Sequence, residues 1–422
     1  MIPLFLYRGM TVLFAPFILG WLFLRKAKGK EDPTRFHERL GYPGKNRPEG
    51  KLIWMHGASV GECLSMLPLI RKILNENLNM HVMVTSGTVT SAKLMKERLP
   101  DRAFHQYVPV DLPMSVHRFV RYWKPDAVFW FESEFWPNLL SYVSHSKIPL
   151  ILLNGRISDR SFRRWQKALW LIRPIQRFFT LSLGQTKEDT SRLEKLGALN
   201  PVYAGNIKYA ATPAVFDADE LKDLHARIGQ RPCWCIASTH DDEEVRLTDV
   251  HIRLKKQFPT LLLICSPRHP NRGAELEKMF LAKGLSVARR SRKDSLNSET
   301  DVYLADTIGE MGLIYQLAPL VFVGGSLIPF GGQNMLEPMR FARTVFVGPY
   351  PFNFKEIMKT ALNAKAIIQV SNEEVFEQQL LFYLQFPKEG EKLGKCARKI
   401  AESEMAVLER IYETICKKTE IF

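Results

Sequence analysis

The sequence has few cysteines, and their spacing does not indicate a chemical role. Its 422 residues include six cysteines, and none of them has zinc-ligand spacing. Nothing in their distribution requires disulfides, so the chain fits a reducing cytoplasm. No low-complexity segment or short internal repeat interrupts it.

Two common phosphate-binding signatures are also missing. The turn His56–Glu62 reads His-Gly-Ala-Ser-Val-Gly-Glu, so it is neither a Walker motif nor the Gly-x-Gly-x-x-Gly dinucleotide fingerprint. A turn of small residues into a helix can still cradle an anion. Tight strand-to-helix turns need glycine in any case, so this turn alone is weak evidence of a ligand.

Acidic residues are in the minority, and the balance of charge points to an anionic partner. The formal net charge is +15 and the pI is about 9.5. Such a charge suits nucleic acid, a membrane surface or a phosphorylated substrate. The length exceeds what one hydrophobic core normally organises, so two domains are expected.

The N-terminus is nearly free of charge. Residues 2–24 carry one charged side chain, Arg8, and a basic cluster follows: Arg25, Lys26, Lys28 and Lys30. The run is barely long enough to span a bilayer, and Pro3 and Pro16 weaken it. A signal peptide is disfavoured because the basic cluster follows the apolar run. Residues 1–30 are therefore predicted to be a membrane anchor or deep interfacial helix with its basic flank in the cytoplasm, the alternative being a buried core helix.

From residue 50 onward, apolar runs alternate with helical patterns. Thirteen runs read as strands: Leu52–His56, His81–Thr85, Ala127–Phe131, Pro149–Asn154, Phe179–Leu183, Pro201–Ala204, Trp234–Ala237, Thr260–Cys265, Ser286–Ala288, Asp301–Leu304, Leu320–Val323, Thr344–Val347 and Ala366–Val370. Most are continuously apolar, as in strands buried on both faces. The pattern predicts an α/β fold with two Rossmann-like halves, 31–210 and 211–422, divided near Tyr209–Asp217.

The segment Gly324–Glu337 combines two glycine pairs with a helix start. It follows the apolar run Leu320–Val323, so its backbone N–H groups are expected to face a bound anion. Asn334 and Glu337 lie three apart and share one face of the helix that begins there. A carboxylate beside an anion site suits ribose hydroxyls next to a phosphate.

Three glutamates are candidates for chemistry. Glu132 and Glu134 follow the strand Ala127–Phe131, so both should be partly desolvated, and at least one should have a raised pKa or a cationic partner. A helix cap or a structural ion pair would explain them equally well. Glu38 lies between Arg35 and Arg39, which is typical of a solvated, salt-bridged helix face. Beside a membrane-proximal cluster, however, it could act as a general base on a lipid hydroxyl.

Two further turns carry polar residues after predicted strands. Pro267-Arg268-His269-Pro270 offers two natural phosphate ligands on a loop restricted by proline. Asp306–Glu310 contains Thr307 and Glu310 at capping-box spacing, which helix capping alone explains. The segments Asn206–Lys208 and Ser238–His240 are weaker signals.

Taken together, these motifs resemble the bacterial Kdo transferases, which move 3-deoxy-D-manno-octulosonic acid (Kdo) from CMP-Kdo onto a lipid A precursor. The resemblance covers nearly the whole chain, in order. Its motifs are the apolar N-terminus, Arg35–Gly41, Ser59–Glu62, Glu132–Asn138, Asn154–Ser158, Pro267–Pro270, Asp306–Glu310, Gly324–Glu337 and Phe352–Phe354. Gln333 stands where histidine is also expected in relatives.

The resemblance implies a GT-B glycosyltransferase with two Rossmann-like domains facing across a cleft. The first would bind the acceptor and the second the nucleotide sugar, with the last helix returning to the first domain. Transfer would invert the anomeric carbon, with Glu38 as general base on an acceptor hydroxyl. Glu132 and Glu134 would line the reaction centre, and Arg35 and Arg39 could meet acceptor phosphates.

The resemblance also implies a set of residues that bind CMP-Kdo. Ser59 with Gly61, or Lys208, are candidates for the Kdo carboxylate. The rest of the expected donor site is Pro267, Arg268, His269, Ile308, Gly309, Glu310, Gly332, Asn334 and Glu337. No Asp-x-Asp pair in these motifs argues for a metal, and neither a metal nor a cofactor is expected.

The expected partners are CMP-Kdo, a lipid A precursor and the anionic cytoplasmic face of a bacterial inner membrane, reached by a single N-terminal anchor. Two other readings remain open. A nucleotide-sugar epimerase has the same two-domain shape but would have little use for an apolar N-terminus. A membrane-tethered nucleic-acid-binding protein would suit the charge, yet no recognition module is present and nucleic acid is not expected as a partner.

Overall fold

The computed structural model describes residues 2–132, 134–210 and 216–422, with the side chains of residues 2 and 3 excluded. The chain forms two compact units. The first is Met1–Ala211 with Glu404–Phe422, and the second is Thr212–Ser403. Residues 211–215, most of the predicted dividing segment Tyr209–Asp217, lie outside the described residues.

The first unit is built on a seven-stranded sheet in which every pairing is parallel. Its strands are β1 (Lys51–His56), β2 (Met80–Ser86), β3 (Ala103–Tyr107), β4 (Ala127–Phe131), β5 (Leu150–Gly155), β6 (Leu181–Gly184) and β7 (Pro201–Tyr203). They lie in the order β3-β2-β1-β4-β5-β6-β7. The chain therefore reverses direction across the sheet between β1 and β4, which is the switch point of a doubly wound fold.

In the part of the first unit that the structure describes, ten α-helices precede or connect these strands. They are α1 (Ile2–Leu13), α2 (Ala15–Ala27), α3 (Phe36–Arg39), α4 (Val60–Glu76), α5 (Val89–Arg98), α6 (Pro113–Trp123), α7 (Pro137–His145), α8 (Asp159–Lys167), α9 (Leu169–Gln176) and α10 (Lys187–Lys195). Two apolar clusters fill the unit. One contains residues of α4 such as Ile70 and Ile73, and the other residues of α6 and α7 such as Phe119 and Leu140. Burial of both sheet faces explains the continuously apolar strands.

All thirteen predicted strands are present, but β3 was not predicted. Its sequence, Ala-Phe-His-Gln-Tyr, has no apolar run because His105 and Gln106 interrupt it. Both polar side chains are satisfied in the structure. The His105 ring lies 2.9 Å from Ser86 Oγ, and Gln106 Oε1 accepts a 3.0 Å hydrogen bond from Gly44 N. Hydrogen bonds to tertiary neighbours thus allow a strand that periodicity does not reveal.

The second unit contains another fully parallel seven-stranded sheet. Its strands are β8 (Cys233–Thr239), β9 (Leu262–Pro267), β10 (Val287–Arg289), β11 (Val302–Leu304), β12 (Leu320–Val323), β13 (Thr344–Val347) and β14 (Ile368–Gln369). Their order is β10-β11-β9-β8-β12-β13-β14. The switch point falls between β8 and β12, so both units have the predicted Rossmann-like topology.

The remaining helices follow the dividing segment. They are α11 (Ala218–Ile228), α12 (Asp241–Lys255), α13 (Gly273–Ala282), α14 (Met311–Leu317), α15 (Leu336–Arg340), α16 (Lys355–Asn363), α17 (Glu373–Gln385), α18 (Pro387–Met405) and α19 (Val407–Lys418). Helix α19 packs on the first unit, where Ile411 and Ile415 are fully buried in the α4 cluster. Glu409 also lies 2.8 Å from Lys72 of α4.

The N-terminal apolar run forms two helices instead of the single anchor helix expected. Helices α1 and α2 meet at a bend of 62°, and Pro16 lies in the first turn of α2. Proline lacks an N–H and its ring crowds the preceding turn, which favours a break here. In the described residues, no one helix has the length and apolar character to cross a membrane, although the bent pair meets that test jointly.

Polar contacts fix α1 to the start of α7. Tyr7 donates a 2.9 Å hydrogen bond to Asp111, and Asn138 Nδ2 donates a 3.0 Å hydrogen bond to Thr11. Leu22 of α2 is fully buried beside Phe36 of α3. The opposite face of the pair exposes large apolar side chains: Phe5, Leu6, Met10, Val12, Leu13, Phe14, Phe17, Trp21, Phe23 and Leu24.

Candidate functional site

Each unit concentrates polar residues at the carboxyl ends of the strands around its switch point. In the first unit, His56 ends β1 and Glu132 follows β4. In the second, Thr239 ends β8 and Gly324 follows β12. Ligands of doubly wound sheets bind outside these strand ends, so the motifs predicted from the sequence converge there.

Glu38 is buried and fully hydrogen-bonded, which corrects the expectation of a solvated helix face. Its side chain is 1 % exposed. Oε1 accepts a 2.7 Å hydrogen bond from Arg35 Nε, while Oε2 accepts from Arg35 Nη2 at 2.9 Å and from Tyr107 N at 2.7 Å. The carboxylate therefore ties the short helix α3 to the end of strand β3.

The two flanking arginines also have internal partners. Arg35 donates a further 2.8 Å hydrogen bond to the carbonyl of His105 and lies over the ring of Tyr107. Arg39 is buried, pairs with Glu31 at 3.3 Å and donates to the carbonyl of Val108. Burial lowers the pKa of Arg39, and the negative charge of Glu31 opposes that change. The guanidinium groups of Arg35 and Arg39 are therefore both paired within the protein.

The turn after β1 is capped by Ser59 and Glu62. Ser59 is the N-cap of α4 and accepts a 3.2 Å hydrogen bond from Glu62 N. Glu62 in turn accepts from Ser59 Oγ at 2.8 Å and from Ala58 N at 2.9 Å. Burial raises the pKa of Glu62 despite these hydrogen bonds. Gly61 is exposed in the first turn of α4, and an added Cβ there would meet no atom within 4 Å.

Glu132 meets a cation, as one of the predicted alternatives required. It adopts a left-handed backbone with φ of 56° directly after β4. Lys208 Nζ forms an ion pair with its Oε1, and Asn154 Nδ2 approaches the same oxygen at 3.4 Å. Lys208 therefore contacts Glu132 within the first unit, which also contains Ser59 and Gly61, the other residues predicted for the Kdo carboxylate.

Glu134 lies beside the buried ring of His56. The His56 Nε2 atom is 3.8 Å from Glu134 Oε2, and its Nδ1 is 2.9 Å from Thr85 Oγ1. Trp130 stacks on the imidazole and its indole N–H donates to the backbone carbonyl of Glu134. Interaction with His56 lowers the pKa of the Glu134 carboxyl. Glu134 is half exposed, so it presents a charged oxygen at the edge of the sheet.

In the second unit, a buried carboxylate fills the first part of the glycine-rich segment. Glu243 of α12 accepts hydrogen bonds from Gly325 N at 2.6 Å, Ser326 N at 3.1 Å and Leu327 N at 2.9 Å. It is fully buried, and burial raises its pKa against the effect of these donors. The prediction that these amides face a bound anion is wrong, because Glu243 already occupies them.

The second glycine pair is also part of an internal network. Gly332 N donates to Gly325 O at 2.7 Å, and Asn353 of the Phe352–Phe354 turn donates to Phe330 O at 3.3 Å. The Phe330 ring stacks on His240 at a centroid distance of 4.4 Å. Both glycines of the pair have positive φ, and a Cβ on Gly331 would come within 2.3 Å of Asn353. Glycine is needed here for conformation and for space.

Arg268 is the arginine at this edge that keeps its charge available. It is exposed, and its guanidinium makes no hydrogen bond or ion pair within the described part of the chain. Neighbouring arginines differ, because Arg272 pairs with buried Glu244 at 3.0 Å and Arg290 pairs with Glu310. His269 is exposed beside Arg268. Pro267 is buried at the end of β9.

Asn334 and Glu337 lie together, as their spacing predicted. Asn334 Nδ2 donates a 3.2 Å hydrogen bond to Glu337 Oε1. Burial raises the pKa of Glu337, while the charges of Arg340 and Arg268 lower it. Glu337 and Arg268 are therefore electrostatic neighbours, although they come from different strand-to-helix turns.

The Asp306–Glu310 turn contains both internally paired and exposed side chains. Thr307 donates to Glu310, and Arg290 donates to both Glu310 oxygens, which lowers the pKa of that carboxyl. Gly309 has φ of 88°, and Ile308 is 87 % exposed. An apolar side chain this exposed at the ligand edge offers a surface for a flat apolar group.

Two structural residues of these sites were not identified from the sequence. Glu243 had only its capping-box spacing from His240 as a signal, and such spacing does not reveal that the carboxylate reaches a loop 82 residues away. Asn154 was part of a motif without an assigned role. Its buried contact with Glu132 depends on the pairing of β4 with β5.

Comparison with known proteins decides the family. The family model for 3-deoxy-D-manno-octulosonic-acid transferase matches residues 34–211. A 3-deoxy-D-manno-octulosonic acid transferase of Haemophilus influenzae is 31 % identical over 97 % of this chain and 97 % of its own length. A probable mitochondrial 3-deoxy-D-manno-octulosonic acid transferase of Arabidopsis thaliana is 32 % identical over 94 % of this chain and 92 % of its own. The chain belongs to the Kdo transferase family.

Membership in this family of glycosyltransferases agrees with the architecture. A UDP-GlcNAc 2-epimerase from Neisseria meningitidis matches with a TM-score of 0.57, covering 87 % of this chain and all of the epimerase. Sequence identity is 13 %, so this likeness shows the fold alone. A nucleotide-sugar epimerase would thus have the same two Rossmann-like units. The relatives that match this chain over nearly its full length, however, are Kdo transferases.

Replacing Glu243 should release the glycine-rich segment. In Glu243→Gln, an NH2 group replaces one carboxylate oxygen and cannot accept a hydrogen bond from the backbone donors that it faces. We therefore expect the free energy of unfolding to fall by about 1–3 kcal/mol. Amide hydrogen exchange at residues 325–327 should accelerate. Asp242→Asn, on the exposed face of the same helix, is the control and should change neither quantity appreciably. Unchanged protection of these amides in Glu243→Gln would contradict the assignment.

Proposed function

We propose that this protein transfers Kdo from CMP-Kdo to a lipid A precursor with inversion at the anomeric carbon. The observation that carries the proposal is the exposed, unpaired Arg268 next to Glu337 at the switch point of a Kdo transferase family member. A cation suits the phosphate of CMP, and a neighbouring carboxylate with Asn334 suits the ribose hydroxyls.

The reaction requires charge stabilisation on the donor side. When CMP leaves, negative charge grows on its phosphate and the sugar becomes oxocarbenium-like. Arg268 offers the positive charge, with support from the turn at Gly309. No metal or other cofactor is proposed for this step.

A carboxylate must remove the proton from the attacking hydroxyl, and we assign this role to Glu38. The proposal rests on its motif and its place beside the N-terminal helices. Glu38 is held by Arg35 on both oxygens, so Arg35 must move for the acceptor hydroxyl to reach it. About a third of the Arg35 side chain is exposed, which leaves it room to turn outward. Glu132 and Glu134 would line the same reaction centre.

The N-terminal helix pair is proposed to lie in the cytoplasmic face of the bacterial inner membrane. Its outer face exposes Phe17 at 74 % and Trp21 at 58 %, and α2 ends in Arg25 and Lys26. An apolar face with basic residues at its border is the pattern of a helix that binds an anionic interface. This position would bring the lipid acceptor to α3, whose Phe36 packs with the buried Leu22 of α2.

The proposed function is tested by product mass. Incubation with CMP-Kdo and a tetraacylated lipid A precursor should shift the lipid mass by whole Kdo residues, with or without a metal chelator. The number of shifts gives the number of sugars added. An unchanged lipid mass would overturn the proposal, and a donor isomerised without lipid would support the epimerase instead.

Glu38→Gln should abolish transfer while CMP binding persists. Glutamine nearly preserves size but cannot accept the proton, so kcat should fall by about 100-fold or more. Glu31→Gln is a matched control because Glu31 is also buried and paired with Arg39. It should retain transfer in the folded fraction. Equal losses in the two variants, or turnover in Glu38→Gln, would reject Glu38 as the base.

Membrane binding should depend on the exposed face of α2. Phe17→Asp with Trp21→Asp should release the protein from vesicles of phosphatidylethanolamine and phosphatidylglycerol, because two large apolar groups leave the interface. Leu78→Asp is the control, since Leu78 is 79 % exposed elsewhere on the first unit. Wild-type binding should weaken with salt. Retained binding by the double variant, or equal affinity for oligonucleotides, would contradict this assignment.

A further inference from the structure

Asn154 lies at a junction in the first unit with an unusual backbone. Its φ is 53° and its side chain is 1 % exposed, near the end of β5. Glu132, after the neighbouring strand β4, is also left-handed with φ of 56°. Residues other than glycine rarely adopt this conformation, although asparagine does so more readily than most. Two adjacent left-handed residues at a switch-point edge indicate a locally fixed geometry.

The Asn154 amide joins three segments of the chain. Its Oδ1 accepts a 3.1 Å hydrogen bond from Ile207 N, which fixes the turn that contains Lys208. Its Nδ2 lies 3.4 Å from Glu132 Oε1 and 3.3 Å from Gln185 Oε1. One buried amide thus holds both partners of the Glu132–Lys208 ion pair.

The contacts are unequally distributed over the Glu132 carboxylate. Asn154 and Lys208 both engage Oε1, whereas Oε2 has no hydrogen-bond partner among the residues that the structure describes. Fixing one oxygen from two directions limits rotation of the carboxylate, so Oε2 keeps a defined direction. A fixed acceptor oxygen at the ligand edge is suited to a sugar hydroxyl.

We propose that Asn154 is a positioning residue that holds Glu132 and Lys208 so that Glu132 Oε2 accepts a hydrogen bond from a hydroxyl of the bound sugar substrate. The identity of the substrate rests on the proposed function, but the positioning itself does not. Another charged group near this pair is Glu62 of α4, which interacts with both members.

Two substitutions separate the backbone from the amide. Asn154→Gly permits the positive φ and removes every side-chain contact. Asn154→Asp keeps an oxygen for Ile207 N and replaces the Nδ2 donor with a second carboxylate oxygen facing Glu132. In Asn154→Asp, the second carboxylate stabilises the Lys208 ammonium. In Asn154→Gly, loss of the amide loosens Glu132, the ion-pair partner of Lys208. The two variants should therefore change the reactivity of Lys208 in opposite directions.

The first experiment needs no Kdo transfer. Acetylation of Lys208 by an N-hydroxysuccinimide ester is followed by peptide mass spectrometry, with exposed Lys195 as internal standard. Relative to wild type, labelling should be about two- to fivefold faster in Asn154→Gly and slower by a similar factor in Asn154→Asp. Labelling of Lys208 that is unchanged in both variants overturns the proposal, whatever the enzyme's substrate.

The second experiment measures transfer against pH. Asn154→Gly should lower kcat by about 10- to 100-fold with little change in KM for CMP-Kdo, since a displaced group costs rate more than donor binding. In Asn154→Asp, one of two adjacent carboxylates keeps its proton to higher pH, so the acidic limb of the rate profile should move upward. Equal loss at every pH in Asn154→Asp indicates a structural role and overturns positioning. An inactive wild type instead rejects the proposed function, and the labelling result still decides the role of Asn154.

Discussion

Parallel strand pairing is the constraint on which the rest of this structure depends. Because all strands of each sheet run in one direction, every strand-to-helix turn of a unit emerges at the same edge. Between β1 and β4, and again between β8 and β12, the connections leave in opposite directions and open a crevice. Residues far apart in the chain, such as His56 and Glu134 or Arg268 and Glu337, become neighbours there. The candidate sites are a consequence of this geometry.

Buried carboxylates hold these edges in shape. A charged group inside a protein is tolerated when hydrogen bonds replace its lost water, and Glu38 and Glu243 each receive at least three such bonds. Glu243 accepts hydrogen bonds from amides that are then not available to an external anion, and Glu38 holds Arg35. This internal pairing leaves a small number of available polar groups, among them Arg268 and Glu132 Oε2.

The limits of sequence reasoning follow from the distance between partners. All strands with an apolar run were predicted, whereas β3 was not, because His105 and Gln106 are satisfied by side chains and backbone from other segments. The spacing of Asn334 and Glu337 correctly placed them together, since Asn334 lies just before α15 and Glu337 lies in its first turn. The ion pair of Lys208 with Glu132 was not predicted, because the two residues lie 76 positions apart in the chain. The anchor was expected as one helix, and the 62° bend divides it into two.

The sequence by itself determined the α/β class, the order of the strand-to-helix turns, the polar residues they contain and the family. These properties depend on local periodicity and on motifs within a few residues of one another. Only the tertiary structure decided which charges are paired and which are available. Pairing joins Glu243 of α12 to Gly325 after β12, and Asn154 of β5 to Glu132 after β4. A hydrogen bond forms only where the fold brings donor and acceptor into contact with suitable geometry.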